Sequence, residues 1–267
     1  LSRSETVKKS YGVPFSRKML GKAANIVVDS RMTIALTGAG ISVESGIPDF
    51  RSAGGLWEKF DPAEYATIEA FRANPEKVWE MLREMEEVVL QAKPNKAHIG
   101  LGELEKLHLL HYIITQNVDN LHQAGGARNV IEYHGNSATL SCVTCGRRYT
   151  AAEKRGEHLP RCRCGSVLKP DVIFFGEAIS LDALNRSFDL ASSAQALLVI
   201  GTSAAVSPAN TIPAVAKQNG AKIIEINKEE THLTHTLTDI FLQGSAGEIV
   251  SEMVEEVRSL KGKRQRL

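Results

Sequence analysis

The sequence predicts a doubly wound, parallel α/β sheet that carries a smaller inserted lobe. Three observations predict it. Short, mainly apolar runs recur along the chain; segments with apolar residues at three- and four-residue steps lie between them; and two segments break that alternation. An apolar run without polar alternation reads as a strand covered on both faces, the pattern of parallel sheets with helices on each side. Strands alternating with helices then give the doubly wound architecture.

Taken in order, the first run is Thr33-Ile34-Ala35-Leu36-Thr37. Val78, Met81, Leu82, Met85 and Val89 follow at helical spacing. The second run is Tyr112-Ile113-Ile114-Thr115, the third Ala196-Leu197-Leu198-Val199-Ile200 and the fourth Lys222-Ile223-Ile224-Glu225-Ile226. Ile249, Val250, Met253, Val254 and Val257 close the chain with a second helical stripe. The interruptions are 55–93, mainly helical, and 136–169, which lacks a helical period and holds all four cysteines. The expected division is a sheet domain of residues 1–54, 94–135 and 170–267, with the two inserts forming the small domain. There is no internal repeat and no low-complexity segment.

A chain of 267 residues is long enough for this arrangement. Its 43% hydrophobic content and mean hydropathy of -0.15 fit a soluble globular protein. A net charge of +1 gives no reason to expect a nucleic-acid or membrane partner. The basic stretch Lys261-Gly262-Lys263-Arg264-Gln265-Arg266 reads as a solvated end. No run approaches the roughly 18 apolar residues that span a bilayer. Leu1 to Ser10 are polar without a secretory pattern, which makes the cytoplasm the default compartment.

The first strand runs straight into Gly38-Ala39-Gly40-Ile41-Ser42-Val43-Glu44-Ser45-Gly46-Ile47-Pro48-Asp49-Phe50-Arg51. Glycines here suit a tight structural turn or a close approach to a pyrophosphate. The dinucleotide fingerprint would place a third glycine at position 43, where this chain has Val43. That departure argues against an ordinary hydride-transfer dehydrogenase.

The cysteines fall as Cys142-x-x-Cys145 and Cys162-x-Cys164, sixteen residues apart. Two short pairs on one insert can close a tetrahedral thiolate cage around one Zn2+. Disulfides are disfavoured without a secretory signal. Four thiolates leave the metal no open position, so the zinc is expected to be structural.

Four further segments stand with the glycine-rich run. They are Thr115-Gln116-Asn117-Val118-Asp119-Asn120-Leu121-His122, Glu132-Tyr133-His134-Gly135-Asn136, Lys169 to Glu177, and Gly201-Thr202-Ser203. Together they resemble the sirtuin family, in its prokaryotic type, over roughly residues 15 to 258. The resemblance implies a Rossmann-like NAD-binding domain and an NAD-dependent protein-lysine deacetylase. The acyl group passes from lysine to ADP-ribose, nicotinamide leaves, and no hydride moves, so NAD is a consumed co-substrate. Acylated-lysine proteins or peptides are the implied partners, with no nucleic acid and no membrane required. An ADP-ribosyltransferase or a long-chain lysine deacylase on the same scaffold is the alternative reading.

The same resemblance assigns roles. His134, at the junction of the sheet with the small lobe, is implied as general base; neutral imidazole near pH 7 suits removal of a ribose hydroxyl proton. His98 and His122 read as structural. NAD contacts are implied at Gly38, Ala39, Gly40, Ser42, Ile47, Pro48, Asp49, Phe50, Arg51 and Trp57. Gln116, Asn117, Val118 and Asp119 line the nicotinamide and ribose side. Gly201, Thr202 and Ser203 meet phosphate, and Asn227, Lys228, Glu229 and Ala246 the adenosine side. Phe174, Phe175, Gly176 and Glu177 are expected to offer one backbone edge to a peptide strand, and Ala205, Val206 and Ser207 the other. Ile173 and Phe175 are expected to line the acyl tunnel. Relatives favouring succinyl or malonyl groups resemble one another in a Tyr-x-x-Arg pair; the matching positions here are Leu82 and Met85. These apolar residues favour acetyl, with longer fatty acyl groups compatible and Arg83 as the nearest cation.

Overall fold

The computed structural model describes residues 16–50 and 54–264. In chain order its elements begin with α1 (Arg17–Asp29) and β1 (Thr33–Thr37). The first insert supplies α2 (Leu56–Lys59), α3 (Pro62–Tyr65), α4 (Ile68–Ala73) and α5 (Pro75–Gln91). Then come α6 (Lys96–Lys106), β2 (Tyr112–Thr115), α7 (Leu121–Ala124) and β3 (Val130–Glu132). The second insert carries β4 (Gly135–Cys142), β5 (Arg148–Thr150) and β6 (Leu168–Val172). The chain continues through α8 (Leu181–Ser193), β7 (Ala196–Ile200), α9 (Ile212–Gln218), β8 (Lys222–Asn227), α10 (His232–Thr236), β9 (Ile240–Gln243) and α11 (Ala246–Arg264).

Six strands form a parallel sheet in the order β3-β2-β1-β7-β8-β9. Chain order reverses between β1 and β7, the switch point at which open α/β sheets bind ligands. The four apolar runs are its inner strands. Alternate side chains serve opposite faces: Ala35, Ile113, Leu198 and Ile224 pack with α1, α6 and α11, whereas Ile34, Leu36, Leu197 and Ile223 pack with α8 and α9. This is why the strands read as continuous apolar runs. The edge strands β3 and β9 add to the four expected from sequence.

The two inserts share a smaller core. Ile68, Phe71, Val78 and Trp79 from the helical insert close on Leu140, Cys142, Cys162, Leu168 and Phe174. Trp79 Nε1 donates to the Leu168 carbonyl at 3.0 Å, so the largest side chain of that core is also hydrogen-bonded across it. The zinc-binding insert is an antiparallel sheet ordered β5-β4-β6. Good capping explains where α5 begins: the Asn74 side chain accepts from Lys77 N–H and Pro75 occupies the first turn. Gly135, just after His134, has φ +78°, and a Cβ there would lie 2.0 Å from the Asp171 carbonyl oxygen. Only glycine lets β4 leave the sheet lobe against β6 so closely.

Candidate functional site

The turns after β1 and β7 are built against each other. Gly40 N–H donates to the Gly201 carbonyl at 2.8 Å. A Cβ on Gly38 would stand 2.7 Å from Thr202 Cβ, and one on Gly40 would stand 2.8 Å from Gly201 Cα. These glycines are therefore required by turn-to-turn contact at the switch point.

A cleft of about 1710 Å³ opens over these turns and extends under the small lobe. Every cofactor-side and substrate-side residue expected from sequence lines it, as does His134, with one exception. Arg51 lies outside the described residues.

A buried polar network forms the floor. Ser42, 1% exposed, donates to Asp119 Oδ2 at 2.7 Å and accepts from Asn117 Nδ2 at 3.0 Å. Asp119 Oδ1 accepts from Leu121 N–H at 2.9 Å. His98 Nδ1 accepts from Asn95 N–H, which leaves its proton on Nε2, facing Ser42 Oγ at 3.4 Å. Beside it, Thr37 Oγ1 donates to Thr115 Oγ1 at 2.9 Å, so His122 Nε2 donates to Thr37 at 2.9 Å. The His98 and His122 rings meet edge to face with centroids 4.9 Å apart. Burial pushes His98 down to about 4 and His122 to about 3, so both rings are neutral hydrogen-bonding parts at pH 7. They are structural residues placed directly beneath the site. The sequence signal for this floor was faint: threonines at the ends of two apolar runs, paired only by the parallel register.

His134 sits at the rim. Its Nδ1 lies 3.1 Å from the Gln116 carbonyl, which can only accept, so Nδ1 carries the proton and Nε2 keeps a free lone pair. Burial lowers its pKa below the ordinary histidine value, with the Gln116 carbonyl opposing in part. The ring is thus a neutral base near pH 7. Gln116 is fixed in turn: its Nε2 donates to Thr202 Oγ1 at 3.0 Å. Asn227 Nδ2 donates to the Thr202 carbonyl at 3.1 Å, tying the ends of β7 and β8.

The expected peptide edge is altered by the geometry. Phe175 N–H donates to the Ala66 carbonyl at 2.9 Å, and its carbonyl accepts from Ile68 N–H at 3.0 Å. The Phe174 N–H is taken by Glu177 Oε2 at 2.8 Å, and the Phe174 side chain is buried in the small-lobe core. Glu177 is turned inward, with Lys169 Nζ at 3.0 Å on the same carboxylate oxygen. Phe174, Phe175 and the Glu177 side chain therefore hold the loop to the small lobe, which leaves the backbone of Gly176 and the Glu177 carbonyl to face a strand. Phe175 still presents its ring, 45% exposed and 6.5 Å from Trp57, which stacks on Phe50 at 5.1 Å. Leu82 and Met85 line the cleft on α5 and pack with Phe60, Ala66 and Met81. Arg83 is paired with Glu86 at 2.6 Å and lies over the Trp79 ring.

The four cysteine sulfurs lie within 4.8 Å of one another, with Cys142–Cys164 at 3.5 Å and Cys145–Cys162 at 3.6 Å. A tetrahedron of Zn–S bonds near 2.3 Å places sulfurs about 3.8 Å apart. All four are free thiols, so the set fits one zinc ion and no disulfide. Tyr149 supports the cage: its hydroxyl donates to Cys162 Sγ at 3.3 Å and accepts from Arg163 N–H at 3.0 Å. Such contacts orient ligands around a metal.

Residues 38–208 match the model of the Sir2 family. An NAD-dependent protein deacylase of Pyrococcus furiosus is 47% identical over 249 residues, covering 91% of this chain and 99% of the relative. A solved Sir2 homologue in complex with NAD superposes with a TM-score of 0.84 at 44% identity, covering 90% of this chain and 94% of that one. Sir2Af2 bound to a myristoylated histone peptide superposes at 0.80 with 35% identity, covering 93% and 100%.

Proposed function

The chain belongs to the Sir2 family and is an NAD-dependent protein deacylase, and on that premise we propose how its cleft divides the work. His134 is the general base. The observation that carries this is its tautomer: Nδ1–H is committed to the Gln116 carbonyl, so Nε2 is the atom that takes a proton. When bound, NAD supplies the ADP-ribosyl acceptor for the acyl group and leaves as nicotinamide and O-acetyl-ADP-ribose. Asn117 and Asp119 hold the nicotinamide and ribose side through Ser42, with Gln116 and Val118 beside them. Gly38, Ala39, Gly40, Gly201, Thr202 and Ser203 meet phosphate. Asn227, Lys228, Glu229 and Ala246 meet the adenosine side. Ile47, Pro48, Asp49, Phe50 and Trp57 wall the cleft. Cys142, Cys145, Cys162 and Cys164 hold one structural zinc.

The substrate is an acylated-lysine segment of a protein, laid between Gly176 and the stretch Ala205-Val206-Ser207. Ile173, Phe175, Leu82 and Met85 receive a neutral acyl chain. The myristoylated peptide bound by a Sir2 relative supports an acyl range beyond acetyl. Among the described residues no helix is long and apolar enough to cross a membrane. We assign 55–93 with 136–169 to the small domain and the remainder of the described chain to the NAD-binding domain, with the return strand β6 running past position 169 to Val172 and Phe174 packing in the small-domain core. Incubation with labelled NAD and either acetylated or unmodified peptide tests the reading. Label recovered in a small acylated product, only with the acetylated peptide, supports deacylation; label fixed on protein supports ADP-ribosyl transfer instead.

A further inference from the structure

Glu225 is fully buried in β8, between Ile224 and Ile226, which pack on one face of the sheet, while Ile223 two residues back packs on the other. Nothing assigned to the site above uses it. Its partners are three hydroxyls from the chain that follows. Thr231 Oγ1 donates to Oε1 at 2.6 Å; Thr234 and Thr238 Oγ1 donate to Oε2 at 2.8 and 2.7 Å. A carboxylate accepts on every lone pair and donates none, so it forces all three hydroxyl protons toward itself. The remaining hydroxyl lone pairs must then face outward.

That orientation is used at once. Thr231 Oγ1 accepts from Leu233 N–H at 3.1 Å, and Thr234 Oγ1 accepts from Thr231 N–H at 2.9 Å. These reciprocal bonds start α10 and fix the backbone at Thr231. At the other end of the turn, Asn227 is tied to Thr202, and the Lys228 carbonyl accepts from Gln243 Nε2 at 3.0 Å. Between the two ends, Lys228, Glu229, Glu230 and Thr231 all face the cleft.

We propose that Glu225 is a positioning residue for NAD: its carboxylate, through Thr231, Thr234 and Thr238, holds the 228–231 turn that closes the adenosine end of the cleft. The inference rests on the reading that Asn227 and its neighbours take the adenosine side. The carboxylate does not touch the ligand; it shapes the wall that does. A role in stability alone would lower the melting temperature and leave substrate parameters as they are. A positioning role raises KM for NAD while kcat and KM for the acetylated peptide hold.

The test uses Glu225→Gln, Thr234→Val and Thr238→Val in the full chain, with Asn227→Ala as the direct wall variant. Gln keeps the shape of Glu225 but replaces one acceptor oxygen by a donor. The valine variants delete single hydroxyls at constant size and carry the test if Glu225→Gln fails to fold. We expect KM for NAD to rise roughly 3- to 30-fold in all four, with kcat and peptide KM unchanged in the Glu225 and threonine variants. If Asn227→Ala raises KM for NAD and the folded Glu225 and threonine variants do not, the positioning role is wrong and the adenosine assignment stands. If Asn227→Ala also leaves KM for NAD unchanged, the adenosine assignment fails and the inference fails with it.

Discussion

The two lobes reach stability by different means. The large lobe buries alternate residues of its inner parallel strands into two cores, one under α1, α6 and α11 and the other under α8 and α9. The small lobe's main core holds far fewer residues, and two of them are cysteines of the four-sulfur cage. A sheet covered on both faces can stand on hydrophobic burial. A small core drawn from two separate inserts needs a further tie, and a metal cage supplies one. Sensitivity differs accordingly: packing governs the sheet lobe, and thiol chemistry governs the small-lobe core that contains Cys142 and Cys162.

Removing the zinc is the strongest way to separate the lobes. Structural zinc contributes apparent binding free energies of about 10–16 kcal/mol in small domains. Cys142→Ala or Cys164→Ala is expected to lose the metal and to expose residues 136–169 to limited proteolysis, while fragments of the parallel sheet persist. Metal analysis should give one zinc per chain in the parent protein. Equal loss of protection in both lobes would break the comparison.

The acyl group sharpens it at the next level. Succinyl-lysine carries a carboxylate toward Leu82 and Met85, neither of which donates a hydrogen bond. Charge-assisted hydrogen bonds are worth about 1.5–3 kcal/mol, so kcat/KM is expected to fall roughly 10- to 150-fold relative to acetyl-lysine on the same peptide. Arg83 lines the same cleft and holds Glu86 through Nη1 alone, so its Nε and Nη2 are the nearest cationic donors an acyl carboxylate could meet. Equal rates for the two groups would reject an apolar pocket, and Arg83→Ala would then show whether that guanidinium takes part.

A smaller effect belongs to the large lobe. His98 and His122 titrate near 4 and 3 when folded, below the ordinary histidine value near 6.5. The unfolded chain therefore binds more protons as pH falls below that value. Their contribution to stability is fully present above about 6.5 and is lost progressively as pH falls toward the folded pKa values. Urea unfolding of the zinc-loaded protein, followed by a probe in the sheet lobe, should show lower stability at pH 5 than at pH 7. His122→Gln should flatten that dependence; an unchanged slope would remove His122 from the account.

What the sequence revealed follows the same division. The inner strands were legible because burial on both faces removes polar alternation. Val130–Glu132 and Ile240–Gln243 were not, since edge strands of three or four residues carry too little pattern. The four cysteines announced their cage by spacing alone. The floor of the cleft was half legible: Ser42, Asn117 and Asp119 stand in recognisable motifs, but the pairing of Thr37 with Thr115 depends on strand register. The backbone commitment of Phe175 was invisible, because its partners Ala66 and Ile68 lie on the other insert. Glu225 did leave a signal, as a charged residue inside an otherwise apolar run.

The proposed role of His134, held by the Gln116 carbonyl, is to remove the proton in acyl transfer without holding NAD in place. His134→Ala tests it most directly, with kcat for deacetylation and the dissociation constant for NAD measured on the same folded preparation. Loss of a general base typically costs about 10²- to 10⁴-fold. A fall of that size in kcat is expected, with NAD affinity nearly unchanged. Near-normal turnover in the folded variant would contradict it, as would a loss of activity explained entirely by weaker NAD binding.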